Sequence, residues 1–291
     1  MTKKIWRELL TEEQNDAEVL VCGISYDGAC SCGKGASLAP SKLRELSAYL
    51  PPVSYKGEII KTKVFDFGDI ENYQYDENYP IINQIIKSNK FGLFLGGDHS
   101  ISIPTQKAFI EHYQNKRIGI IHCDAHADLC DIYDDNKLSH ACVNRRAVDN
   151  GIKDEDITYI GIRSWEKQEL VYLDNHQDVR VYPMYEIKDL GIKSIINNII
   201  AKYKNYDAIY LSVDIDISDP STAPGTGTPE AAGINSYDLL LMVREIIINL
   251  PIKVMDVVEV SPPLDNNNIT SWLALKLIYE AFYCFNKRIS N

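Results

Sequence analysis

The stretch "IGIIHCDAHADLCD", residues 118–131, joins an apolar run to a polar cluster in which Asp124, His126 and Asp128 fall on every second position. The apolar part is short and rich in isoleucine, as a strand buried on both faces requires. The polar part begins where that strand should end. Outward from it the pattern recurs: "EVLVCGI", "IIKTKVFDF", "FGLFL", "ITYIGI", "VRVYP", "DAIYLSVDI" and "KVMDVVEV" bring the predicted strands to eight. Helical spacing marks "SKLRELSAYL", with Pro40 where a first turn accepts proline and Pro51 and Pro52 behind it, and also "YPIINQIIKSNK", "SYDLLLMVREIIINL" and "TSWLALKLIYEAFYCF". This β–α alternation predicts a mostly parallel sheet covered by helices. With no linker, low-complexity tract or repeat, residues 1–291 are expected to form one domain.

Of the 291 residues 45% are apolar and 24% charged, the balance of a globular chain with a sizeable core. No apolar run is long enough to span a bilayer, and the start "MTKKIWRELLTEEQNDA" lacks the apolar core of a secretion signal. A cytoplasmic protein with no membrane partner is expected. A formal charge of −11 argues against nucleic acid as a partner and favours cationic ligands. Seven cysteines, an odd number with no CxxC pair, point to reduced thiols and away from a disulfide framework or zinc ribbon.

In a parallel sheet every strand ends at one edge, and ligands bind in the loops beyond it. Polar clusters follow four of the predicted strands: "GGDHS" (96–100), "CDAHAD" (123–128), "SVDIDISDP" (212–220) and Glu259 in "DVVEVSPP". If the chain stays extended there, alternation turns Asp124, His126 and Asp128 to one side, and likewise Asp214 and Asp216. One pocket would then collect His99, His126 and four aspartates. Imidazoles and carboxylates without thiolate suit Mn²⁺ or a similar ion better than a structural zinc, and six such ligands fit two ions sharing bridging carboxylates. The resulting centre would accept a cationic electrophile. Singly, each cluster also reads as a strand-end turn or helix cap; together, at successive strand ends, they read as a site.

The blocks "GGDHS", "DAHAD", "SVDIDISDPSTAPGTGTP" and "DVVEVSPPLD" resemble the signature segments of the ureohydrolases, the arginase and agmatinase family, from about "VCGISYDG" to the C-terminal helix. The resemblance implies a three-layer α/β/α fold around an eight-stranded parallel sheet, two Mn²⁺ per chain, and a homo-oligomer, trimeric or hexameric. By it, His99 and Asp128 hold one ion, His126 and Asp216 the other, and Asp124 and Asp214 bridge them. It makes His140, in "LSHACVNRR", a mobile-loop proton carrier and Glu259 the carboxylate that pairs with a guanidinium. Asp128, His140 and Glu259 are the implied catalytic set, with His140 and Glu259 the implied substrate contacts. A guanidinium carbon is a poor electrophile, so its hydrolysis near neutrality needs a metal-activated water and a proton for the departing amine. On the residues alone, His140 also reads as a helix-start histidine packed on Leu138 or Tyr133, and Glu259 as an acid buried against a lysine or arginine. His122 and His112 have no counterpart and are expected to be structural.

The resemblance also bears on the substrate, expected to be a small cationic guanidino compound. Arginases hold an α-carboxylate with an asparagine two residues past the third acid of DxHxD, where this chain has Cys130. "GIRS" (161–164) and "SHACVNRR" resemble agmatinases, which release putrescine and urea from agmatine, a reaction of polyamine biosynthesis. Asp131, Asp134 and Asp135 in "LCDIYDDNKL" are candidates for agmatine's second charge, or simply a solvated turn. Where agmatinases commonly carry "RPGxRFGP" this chain has "GKGASLAP" (33–40), which alters the substrate mouth. The alternative is a hydrolase of guanidinobutyrate, formiminoglutamate or a similar compound, with Lys34, Lys137 or Arg163 holding a carboxylate. A one-zinc deacetylase would leave ligands without a role, and a non-catalytic paralogue would be expected to lack a ligand.

Overall fold

The computed structural model describes residues 4–70, 73–74 and 80–290; Met1–Lys3, Tyr79 at the head of one predicted helix, and Asn291 lie outside the described residues. The strands are β1 (Val19–Gly23), β2 (Val64–Asp69), β3 (Phe91–Leu95), β4 (Ile118–Cys123), β5 (Ile157–Ile160), β6 (Arg180–Tyr182), β7 (Ala208–Asp214) and β8 (Ile252–Val258). They form one sheet, parallel throughout, in the order β2-β1-β3-β8-β7-β4-β5-β6. Strands β1, β3, β4, β5 and β7 are buried at every position, which is why they read as unbroken apolar runs. The edge strands β2 and β6 are only partly buried.

Between the strands run α1 (Ala39–Ser47), α2 (Pro80–Lys87), α3 (Ser102–Tyr113), α4 (Val143–Asp149), α5 (Lys167–Asn175), α6 (Met184–Leu190), α7 (Ile192–Tyr203), α8 (Ser236–Asn249) and α9 (Ile269–Ser290). The predicted helical segments correspond to α1, α2, α8 and α9, although α1 ends at Ser47, ahead of its proline pair. Helices α3 to α7 are additions to the sequence reading. In α3 the buried face includes Ser102, Thr105 and Gln106, so the apolar stripe that signals a helix is broken.

Alternation along the strands feeds two cores. Val19, Val21, Leu93, Cys123, Leu211 and Val213 join α1 and α6–α9 on one face; Leu20, Cys22, Phe94, Ile120 and Tyr210 join α2–α4 on the other. The result is the three-layer α/β/α arrangement. Strands β3, β8, β7 and β4 are neighbours in the sheet though far apart in the chain, so the segments leaving them meet at one edge.

Candidate metal centre

The cluster is assembled by turns at the strand ends. Strand β4 stops at Cys123, and Asp128 takes a left-handed backbone, φ 51°. The expected extended alternation of Asp124, His126 and Asp128 therefore gives way to a tight loop. Asp214 is the last residue of β7 and caps the following 3-10 turn, Ile215–Ile217, by accepting the Asp216 N–H at 2.9 Å. His99 opens another 3-10 turn after β3, capped by Asp98. Gly97 is required just before it, because a Cβ there would fall 1.7 Å from the Tyr26 carbonyl oxygen.

His99 Nδ1 lies 3.0 Å from Asp124 Oδ2 and 3.1 Å from both Asp128 Oδ2 and Asp214 Oδ2. His126 Nδ1 lies 3.1 Å from Asp216 Oδ2 and 3.4 Å from Asp124 Oδ1. Asp124 thus belongs to both groups of possible ligands. Two atoms aimed into the cluster, His99 Nδ1 and Asp124 Oδ2, are buried with no hydrogen-bond partner. Burial and the neighbouring carboxylates push Asp214 and Asp216 above the usual range; Asp124, equally penalised by burial, is held low by His122, His126 and His99. Four buried carboxylates with orphaned donor atoms between them are costly unless a cation sits there. The residues fit hard divalent ions that take oxygen and imidazole nitrogen.

The ligands are themselves held. His99 Nε2 bonds Ser212 Oγ at 2.8 Å, and that hydroxyl donates to Asp256 Oδ1 at 2.7 Å, which leaves Nδ1 as the lone-pair nitrogen facing the cluster. His122, expected to be structural, stacks on His99 with centroids 5.0 Å apart and brings Nε2 to 3.1 Å from Asp124 Oδ2. It is a wall of the cluster. His112 lies exposed at the end of α3.

Glu259 follows β8 in a left-handed conformation, φ 61°, a strained backbone of the kind that collects at functional sites. Its Oε1 accepts the His99 N–H at 2.8 Å and lies 3.2 Å from His140 Nδ1; among the described residues no lysine or arginine partners it. The polar anchor of His140 is Ser31: its Nε2 accepts the Ser31 N–H at 3.1 Å and lies 2.9 Å from Ser31 Oγ. Burial disfavours the charged imidazole, but the Glu259 carboxylate outweighs it and His140 is pushed up to about 9. Ser31, which carries no signal in the sequence, lies two residues before the altered mouth segment, in which the Gly35 N–H and Ser37 Oγ each donate to Asp27 Oδ2 at 2.9 Å.

Above the cluster opens a cavity of about 370 Å³, whose lining includes His126, Asp128, Asp214, His140, Ser31, Cys32, Tyr133, Trp165, Glu166, Glu169 and Glu230. The expected acids Asp131, Asp134 and Asp135 are not in it. Asp131 pairs with Arg146 at 2.7 Å, and Asp134 and Asp135 are exposed with left-handed backbones in the turn between Tyr133 and Asn136. The expected carboxylate holders are also elsewhere. Arg163 gives its guanidinium to the backbone carbonyls of Gly161, Asp216, Ile217, Ser218, Glu230 and Ala231, while Lys34 and Lys137 are exposed outside the lining. Cys130 is fully buried, and all seven cysteines are free thiols. Glu230, Glu166 and Glu169 are the acids that sequence reading missed; Glu230 stands just after "TGTP", and Glu166 and Glu169 stand two and five residues after "GIRS".

A parallel α/β/α sandwich with a buried His/Asp cluster that could hold metal ions at the carboxyl edge of its sheet, beside a histidine paired with a glutamate, is the frame of a hydrolase site. The family model described as "Arginase family" matches residues 17–284. The chain belongs to the arginase family. It is 31% identical over 287 residues to the agmatinase of Bacillus subtilis, covering 94% of each chain, and 32% identical over 281 residues to an arginase of Staphylococcus aureus, covering 84% of this chain and 90% of that one. Among solved structures it is similar to proclavaminate amidino hydrolase from Streptomyces clavuligerus, with a TM-score of 0.84, 30% identity, and coverage of 99% of this chain and 98% of that one. Membership makes the chain an enzyme of C–N hydrolysis at guanidino groups.

Proposed function

We propose that the enzyme hydrolyses agmatine to putrescine and urea, using two Mn²⁺ held by His99 and Asp128, by His126 and Asp216, and by Asp124 and Asp214 between them. Overall identity does not separate the substrates, since an agmatinase and an arginase stand at 31% and 32%. The observation that carries the reading is the cavity wall: among the described residues it has three glutamates beyond the cluster and no lysine or arginine. A substrate with a carboxylate finds no lysine or arginine partner there, and Cys130 is fully buried. A dication without a carboxylate is matched.

The cluster residues would hold divalent ions, whose chemistry there would be to lower the pKa of a water enough to make it a nucleophile near neutrality. Glu259 orients the guanidinium through its carboxylate, which the His99 N–H already aligns. His140 lines the cavity with Asp128 and is placed to supply a proton to the departing amine, the neighbouring Glu259 carboxylate raising its affinity for that proton. Ser31 and Glu259 hold its ring from both nitrogens. Urea release from agmatine, arginine and guanidinobutyrate with added Mn²⁺ tests the proposal. We expect kcat/KM for agmatine to exceed that for arginine by at least about a hundredfold; a preference for guanidinobutyrate would replace agmatine with the carboxylate-bearing alternative.

A further inference from the structure

We infer that Glu230 is the specificity residue that receives the substrate's second cation, a primary ammonium a few carbons from the guanidinium. The inference rests on the guanidino-hydrolase reading above. Three acids outside the cluster line the cavity, and two of them are occupied by backbone donors. Glu166 caps α5, its side chain accepting the Glu169 N–H. Glu169 is buried and accepts the N–H groups of Leu129 at 3.0 Å and Glu166 at 2.9 Å.

Glu230 differs from both. Its carboxylate takes one hydrogen bond, from the neutral hydroxyl of Ser164 at 3.0 Å, and the basic atom facing it, His126 Nε2, is 3.9 Å away, beyond hydrogen-bond reach. Its charge is therefore only partly balanced, by His126 at that distance and by the Arg163 guanidinium behind the loop, and among the described residues no donor but Ser164 hydrogen-bonds to it. The side chain is nevertheless well placed, because its own carbonyl is clamped by Arg163 Nη2 at 2.7 Å, the same nitrogen that holds the Asp216 carbonyl at 2.7 Å. The guanidinium of Arg163 thus ties the Glu230 loop to a cluster residue.

Position decides what this acid can bind. Glu259 is bonded beside His99, and Glu230 stands beside His126, so the two carboxylates flank opposite halves of the cluster. A substrate with its guanidinium at Glu259 directs its far end toward Glu230. Trp165, 36% exposed, lines the same cavity and offers an apolar face to a methylene chain and a π face to an ammonium. An analogue with an uncharged tail gives Glu230 no cation to pair with, and one with a carboxylate is repelled.

The test is steady-state kinetics of the Mn²⁺-loaded full chain on agmatine, on N-butylguanidine, which has the same carbon chain without the amine, and on guanidinobutyrate, with metal content measured on each preparation. Glu230→Gln is expected to lower the agmatine-to-butylguanidine ratio of kcat/KM by about 10- to 100-fold, chiefly through KM, at the parent's metal content. Glu230→Asp is expected to recover part of that ratio, and Glu230→Lys to move preference toward guanidinobutyrate. An unchanged ratio in Glu230→Gln overturns the inference, as does a changed ratio that tracks loss of metal, which would make Glu230 a support of His126. A parent enzyme that hydrolyses butylguanidine as well as agmatine overturns the ammonium site and leaves the hydrolase reading intact. A fully metallated parent inactive on all three overturns the hydrolase reading itself.

Discussion

The floor and the mouth of the cavity are built in different ways. On the floor, His99, Asp124 and Asp216 are each 1% exposed, sit just past the ends of central strands, and are held by backbone and buried side-chain hydrogen bonds. At the mouth, the Glu230 side chain is 40% exposed and Ser31, Trp165 and Glu166 stand on loops. The difference separates two tasks. Rigid strand ends can hold converging charges whose misplacement would be costly, whereas loops can change the selection of substrate without disturbing the sheet. The arginase family model spans both regions, yet the agmatinase and arginase relatives differ in the substrate they are named for.

The comparison is broken most directly at the shared carboxylate. Asp124→Asn is expected to lower turnover on the order of a thousandfold and to deplete both ions, while His99→Ala depletes mainly one; metal analysis beside urea release separates them. Two ions retained at full occupancy in Asp124→Asn would remove Asp124 from the bridging role. A smaller effect is expected where floor and mouth meet. His140→Ala should reduce kcat about a hundredfold with metal content unchanged, because a proton carrier acts in turnover and not in ligation; a parallel fall in metal content would place His140 on the floor instead.

His140 also gives the metal-free protein a pH signature. Its folded pKa of about 9 lies above the ordinary 6.5, so its stabilisation is fully present below about 6.5 and is lost as pH rises through 9. The loss amounts to at most about 3 kcal/mol. Denaturant titrations of the apo protein at pH 6.5 and above 9 should show a decline to which His99 and His126, also raised, contribute, and His140→Ala should make it shallower; an equal decline in the variant assigns it to those other groups. The smallest effect is expected at the mouth. Ser31→Ala removes one hydroxyl from His140 Nε2 and keeps the backbone donor, so kcat should fall only about three- to tenfold. No change in kcat would mean that the backbone N–H alone holds the ring.

By itself the sequence determined the sheet, the two-faced burial of its central strands and the identity of the cluster. Continuous apolar runs have few other uses in a globular chain, and four acids and two imidazoles placed just beyond them leave little freedom of position. It did not announce α3, whose polar core face hides the helical period, nor the turn at Asp128, because a left-handed backbone is a local conformation that alternation cannot express. Tertiary structure alone decided the mouth. Asp131 turns to Arg146, Arg163 is taken up by carbonyls from several segments, and Ser31 reaches His140 across 109 positions of chain. Those outcomes depend on which loops the crossovers bring to the same edge. Periodicity is a property of neighbours along the chain, but the wall of a cavity is made by residues that are neighbours only after folding.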